Sequence, residues 1–122
     1  MTKNAIISVF DKTHILDLAK YLVENNYKIY STGGTANLLR SNNINVVSIS
    51  DYTMYPEILN GRVKTLHPKI YAGILSKRNN RIHKKDLEKN KFFEIDLVIV
   101  NFYPFEKTLE NTKNHNIIFE NI

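Results

Sequence analysis

The sequence predicts an α/β fold, with three layers (α/β/α) around a mainly parallel central sheet. Short, apolar, β-branched runs recur along the chain. Amphipathic stretches with helical spacing separate them, the alternation that builds a parallel sheet covered on both faces and joined by right-handed crossovers. In 122 residues, 43% hydrophobic and 24% charged, this is the balance of one globular core.

The first run, Ala5-Ile6-Ile7-Ser8-Val9, is apolar on both sides, as a strand inside a parallel sheet must be. After it, Ile15, Leu18, Ala19 and Leu22 fall on one helical stripe, with Asp11 or Thr13 available as the cap and an end near Asn25-Asn26. Tyr27 to Ser31 returns to strand character. Thr32-Gly33-Gly34-Thr35 then leads into a second helix from Ala36 to Ser41. Asn45 to Ile49 reads as a third strand, and Asp51 to Thr65 as a long polar segment with Pro56, Gly61 and little periodicity. A helix is expected from Pro68 through Ile70, Ala72 and Leu75, and a second, exposed one within the charged stretch 78–91. Ile95 to Val100 is the clearest late strand, stopped at Pro104. Asn116 to Ile122 opens an amphipathic element with no stop signal, so the chain reads as interrupted there.

The composition excludes several chemistries. With no cysteine there is no disulfide framework, thiolate metal site or cysteine nucleophile. The four histidines, at 14, 67, 83 and 115, lack the close spacing of a zinc pair, so no metal is expected. No apolar run approaches the ~20 residues of a membrane span, and the N-terminus has no signal pattern, so the reading is cytoplasmic with no membrane partner. The net charge of +5 suits an anionic partner, a phosphorylated small molecule as well as a nucleic acid. The basic run from Arg78 to Lys91 is interleaved with Asp86 and Glu88, which favours a solvated helix face over a nucleic-acid patch.

Ligands of open α/β sheets collect at the carboxyl ends of the strands, so the segments after each strand are the candidates for chemistry. Phe10-Asp11-Lys12-Thr13 puts a lysine beside a helix N-terminus, a place for an anion or simply for a solvated side chain. Thr32-Gly33-Gly34-Thr35 suits a phosphate held by backbone N–H groups; by itself it is equally a tight turn, and it has neither Walker A nor dinucleotide spacing. Gly61-Arg62-Val63-Lys64-Thr65-Leu66-His67-Pro68 gathers Arg, Lys, Thr and His in one loop, fit for an anionic, heteroatom-rich ligand or for a basic surface. At the end of the last strand, Asn101 and Tyr103 offer an amide and a phenol to a purine-like ring, although Tyr103 equally fits a core position.

Taken in order, these segments resemble the IMP cyclohydrolase domain of the bifunctional AICAR transformylase/IMP cyclohydrolase family. The resemblance runs through Ile7 to Thr13, Ser31 to Ala36, Tyr55 to Leu75 and Asp96 to Phe105, essentially the whole chain, and the stretch from Pro56 to Leu75 is its most specific part. It implies a methylglyoxal-synthase-like fold, with residues 1–122 forming the N-terminal part of the cyclohydrolase domain. It also implies closure of the purine ring of FAICAR to give IMP and water, without metal or organic cofactor. Lys64 and Tyr103 are then the catalytic groups. Asp11, Lys12, Thr32, Gly33, Gly34 and Thr35 hold the nucleotide and its phosphate, and Arg62, Val63, Thr65, His67 and Asn101 line the site. The family further implies a homodimer, no nucleic-acid partner, and a transformylase domain that uses 10-formyltetrahydrofolate as formyl donor.

Two departures qualify this. Phe10 stands where the family often has Ser, leaving only backbone to the ligand. The family's Asp-Ile-Gly-Gly-like segment and following catalytic lysine do not occur within these residues, so weak binding and little turnover are expected of them alone. Methylglyoxal synthase, a regulatory nucleotide-binding domain and a nucleic-acid binder are the competing readings. The Arg62 to Pro68 motif speaks against the first, the Lys64 cluster is unexplained by the second, and net charge alone supports the third.

Overall fold

The computed structural model describes residues 2–102 together with Pro104, Leu109 and Glu110. Its elements are β1 (Lys3–Ser8), α1 (Ile15–Glu24), β2 (Tyr27–Ser31), α2 (Gly33–Ser41), β3 (Val46–Ser48), α3 (Ile49–Thr53), α4 (Pro68–Leu75), α5 (Arg81–Asn90) and β4 (Leu97–Val100). The four strands form one sheet in the order β3-β2-β1-β4, and every neighbouring pair is parallel. The expected α/β fold with a parallel sheet is therefore present.

Strand alternation sorts the core into two halves, because successive side chains leave opposite faces of the sheet. Ala5, Ile7 and Ile29 project to one side and pack with Ile15, Ala19 and Leu22 of α1 and Leu39 of α2. Ile6 and Tyr30 project to the other and meet Ile49 of α3, Ile70 of α4 and Ile95. Helices thus cover both faces, which is the three-layer arrangement.

Four local differences from the sequence expectation have physical causes. On α1 the buried stripe is Ile15, Ala19 and Leu22, while Leu18 is exposed and Leu16 packs against the core instead. Neither Asp11 nor Thr13 caps that helix; His14 stands at the cap with φ 62°, and the Asp11 carboxylate instead accepts from the Thr13 N–H and hydroxyl. α2 begins three residues before Ala36, because its first turn needs N–H groups facing outward more than it needs strong helix formers. α3 takes Ile49 from the end of the expected third strand and runs into the segment that lacks periodicity, a single turn too short to show any, with Ile49 and Thr53 buried.

The second core half depends on close approaches. Tyr52 stacks on Phe93 with ring centroids 4.2 Å apart, and Tyr30 meets both rings at 5.5 and 4.9 Å. Lys69 of α4 donates to the Tyr52 carbonyl at 2.8 Å, with its ammonium 5.0 Å from the Tyr52 ring centroid. Gly73 of α4 lies against the backbone of Phe93, where an added Cβ would stand 2.6 Å from the carbonyl oxygen and 3.0 Å from Ile95. Arg78, expected only as part of a basic run, ties this corner together. Its guanidinium donates to the carbonyls of Gly73 and Ile95 and lies 3.6 Å from the Glu94 carboxylate and 3.9 Å from that of Asp96. Among the described residues no helix is long and apolar enough to cross a membrane.

Two outcomes follow from this packing. Gly73→Ala forces α4 away from Phe93 and should lower stability by about 1 to 3 kcal/mol, read as a lower urea midpoint with unchanged slope. An unchanged midpoint would show that the contact is not tight. Burial, with Tyr52 adding to it, pushes the Tyr30 phenol from its ordinary 10.0 up to about 12. The unfolded chain ionises this group first, so its stabilisation is complete below about pH 10 and is lost as the pH rises towards 12. Tyr30→Phe should flatten that alkaline decline in urea-unfolding stability; an equally steep decline in the variant would absolve this phenol.

Candidate functional site

The strand order places the site. From β1 the chain steps outward through β2 to β3, then returns past both to lay β4 on the other flank of β1. Connections leaving β1 and β4 therefore diverge, and a crevice opens at their carboxyl ends. A cavity of about 310 Å³ lies there, lined by Ser8, Val9, Phe10, Lys12, Thr32, Gly34, Thr35, Lys64, Val100 and Asn101. The ends of β1, β2 and β4 thus contribute to one wall, and Lys64 arrives from the long loop between α3 and α4.

At one end stands the first turn of α2. The Ala36 N–H is the first to bond within the helix, reaching the Thr32 carbonyl at 3.1 Å. The N–H groups of Gly33, Gly34 and Thr35 precede it and have no intrahelical acceptor, so they and the helix dipole favour an anion. The two hydroxyls expected to join them are engaged elsewhere. Thr32 Oγ1 and Ser8 Oγ share a hydrogen bond of 2.9 Å. Thr35 Oγ1, buried, accepts from the Val9 N–H at 3.3 Å and donates to the Val9 carbonyl at 3.1 Å. Thr35 thus builds the wall, and the Ser8–Thr32 pair keeps one O–H to offer beside the backbone N–H groups. Ser8 and Val9 were not singled out from the sequence, since a strand-end serine and a valine backbone carry no motif.

Lys12 completes this end. Its ammonium donates to the carbonyls of Val9 at 2.9 Å and Phe10 at 3.2 Å. It also lies beside Gly34, where a Cβ would be 3.9 Å from Nζ. Asp11 is not on the cavity wall; its carboxylate is turned to Thr13 as above.

The other end is shaped by the loop that carries Lys64. Ile58 and Val63 form an isolated antiparallel bridge, with N–H to carbonyl distances of 3.1 and 3.3 Å. The chain turns between them through Leu59, Asn60 and Gly61, all at positive φ, and Gly61 at φ 80° meets that geometry without a side-chain penalty. Lys64 follows the bridge at once and reaches the cavity. Of its neighbours, Arg62, Val63 and Thr65 are not on the wall. His67 caps α4 instead: its Nδ1 accepts from the Lys69 N–H at 3.1 Å, ahead of Pro68 in the first turn. Tyr103 lies outside the described residues.

The chemistry of the lining is one-sided. It brings two lysines and a helix N-terminus together with no carboxylate among the described lining residues. The nearest acid recorded at this edge is Glu57, with an oxygen 4.0 Å from where a Cβ on Gly33 would stand and another 3.6 Å from the same point on Gly61. The positive charge and unpaired helix N–H groups of such a lining suit an anionic group.

This geometry has relatives. The bifunctional purine biosynthesis protein PurH of Prochlorococcus marinus strain MIT 9312 is 52% identical over 123 residues, covering 100% of this chain and 24% of that protein. That of Clostridium perfringens strain SM101 is 54% identical over 112 residues, 91% of this chain and 22% of its own length. The chain thus spans about a quarter of the length of these relatives. Among solved structures, the crystal structure of ForH matches with a TM-score of 0.76 at 35% identity, over 83% of this chain and 51% of that one. The MGS-like domain model matches residues 14–122, from the start of α1 onward and through every segment that lines the cavity after the first loop. By that match the chain belongs to the MGS-like domain family.

Proposed function

We propose that this chain forms the nucleotide-binding face of an IMP cyclohydrolase, which closes the purine ring of FAICAR to give IMP and water. The observation that carries the reading is the placement of Lys64 on the same cavity as Lys12 and the α2 N-terminus. The 5′-phosphate of the nucleotide suits the N–H groups of Gly33, Gly34 and Thr35 with Lys12 beside them. Its imidazole carboxamide then extends towards Lys64, Val100 and Asn101. The similarity to bifunctional purine biosynthesis proteins supports the same reading.

In this reaction the carboxamide nitrogen attacks the formyl carbon, a C–N bond forms, and the formyl oxygen takes up negative charge. Protonation of that oxygen and loss of the nitrogen proton give a carbinolamine, from which water leaves as the ring becomes aromatic. The amide is a poor nucleophile, so positioning and charge stabilisation supply most of the acceleration. A lysine ammonium in a cavity with no carboxylate among its described lining residues suits the developing oxyanion, and we assign that role to Lys64. Tyr103, two residues after Asn101 in the sequence, is assigned as its proton-transfer partner on the strength of the resemblance. No metal or organic cofactor enters these steps, whereas a transformylase half would draw its formyl group from 10-formyltetrahydrofolate.

The test is conversion of FAICAR to IMP by the protein extended to the length of its PurH relatives, followed by absorbance. Lys64→Ala should lower kcat by about 100-fold or more while the variant keeps its affinity for phosphate. An inactive parent, or a Lys64→Ala variant as fast as the parent, would sink the assignment.

A further inference from the structure

We infer that Asn101 is a positioning residue for the phosphate end of the cavity and acts through Lys12; this rests on the anion-binding reading of that cavity. The ladder between β1 and β4 ends at the pair Ser8↔Val100. Among the described residues no further strand pairing ties the loop after β1 to its neighbour. The Asn101 side chain bridges the gap. Its Oδ1 accepts from the Phe10 N–H at 2.6 Å and from the Asp11 N–H at 3.3 Å, and its Nδ2 donates to the Asp11 carbonyl at 2.8 Å.

A carboxamide has two acceptor positions and two N–H donors, so three of its four bonding positions are committed to this loop. The loop then delivers Lys12, whose ammonium is held by the carbonyls of Val9 and Phe10 beside Gly34. The peptide between Phe10 and Asp11 is therefore fixed from both sides, its N–H end by Asn101 and its carbonyl by Lys12. Removing Asn101 takes away the hold on the N–H side of that peptide, and with it the constraint that aims the Phe10 carbonyl and the ammonium it receives at the α2 N-terminus. Asn101, Lys12 and Lys64 line one cavity.

The test is a double-mutant cycle on the 122-residue chain with inorganic phosphate as the probe, its dissociation constant read by calorimetry. The cycle separates a direct contact with phosphate, whose loss persists without Lys12, from a positioning role, whose loss does not. Asn101→Ala should weaken phosphate binding about tenfold when Lys12 is present and leave it unchanged in a Lys12→Ala background. Independent losses that multiply in the double variant, or full affinity in Asn101→Ala, would overturn the inference. A role in folding alone lowers thermal stability in both backgrounds without that coupling. Amide exchange in the unaltered chain gives a check that no variant can spoil: the Phe10 and Asp11 N–H groups should be protected, and free exchange at both would overturn the clasp. A parent chain that binds no phosphate would bring down the anion-binding reading itself, a result distinct from a parent that binds and an Asn101→Ala variant that binds equally well.

Discussion

The pairing of the Thr35 hydroxyl with both backbone groups of Val9 is the contact on which the site depends. It is buried, where a hydrogen bond gains from the low dielectric and a missing partner is costly. It fixes the first turn of α2 against the end of β1 and so sets the distance between the helix N-terminus and the loop that carries Lys12. Ser8 and Thr32 repeat the device one step deeper in the crevice. The Thr35 hydroxyl is thereby spent on the protein, the Ser8–Thr32 pair keeps one O–H to donate, and the backbone N–H donors face the ligand in the direction the helix dictates.

The other half of the cavity relies on the second core. Ile49, Ile70 and Ile95 with the Tyr30, Tyr52 and Phe93 rings hold α3 and α4 on the sheet. The loop between these helices is thereby anchored at both ends, and the Ile58–Val63 bridge shortens what remains free. Lys69 reinforces the anchor by bonding across to Tyr52. Lys64 owes its place to this packing, although it belongs to none of it. A basic residue on an unanchored loop would sample solvent, where its ammonium is better hydrated.

The sequence shows most of the fold because its strands are apolar on both faces. β2 falls on Tyr27–Ser31 as expected, and the other three strands fall within one or two residues of their expected bounds. Helix starts were less legible. The Gly33-Gly34 pair reads as a turn, yet it is the opening of α2, since helix propensity counts for little where the first N–H groups must face outward. α3 and the Ile58–Val63 bridge left no pattern, being shorter than one period of any signal. In the site, Lys12, Lys64, Thr32, Gly34, Thr35 and Asn101 were legible from their positions after strands or in the basic loop, and they do share one cavity. His67 looked the same in sequence as its neighbours, but a histidine before Pro68 is also well suited to capping a helix, and that use prevails. Arg78 was hidden in a run of charges, because nothing local reveals that its partners lie on Gly73, Glu94, Ile95 and Asp96.

The departure at position 10 takes on a different weight in this light. Where the resembling family often carries a serine, Phe10 has no hydroxyl to offer. Its backbone is nevertheless the part in use: the N–H is held by Asn101 and the carbonyl receives Lys12. Both of these contacts are ones that any amino acid except proline provides. With the N–H groups of α2 and the Lys12 ammonium supplying the donors, a hydroxyl here adds one neutral hydrogen bond to a set dominated by charge and dipole. The half-exposed Phe10 ring lies at the rim of a cavity whose anion-binding end is built from main chain. Such an end tolerates side-chain change at its rim far better than it tolerates a shift of the loop, and Asn101 is the group that opposes that shift.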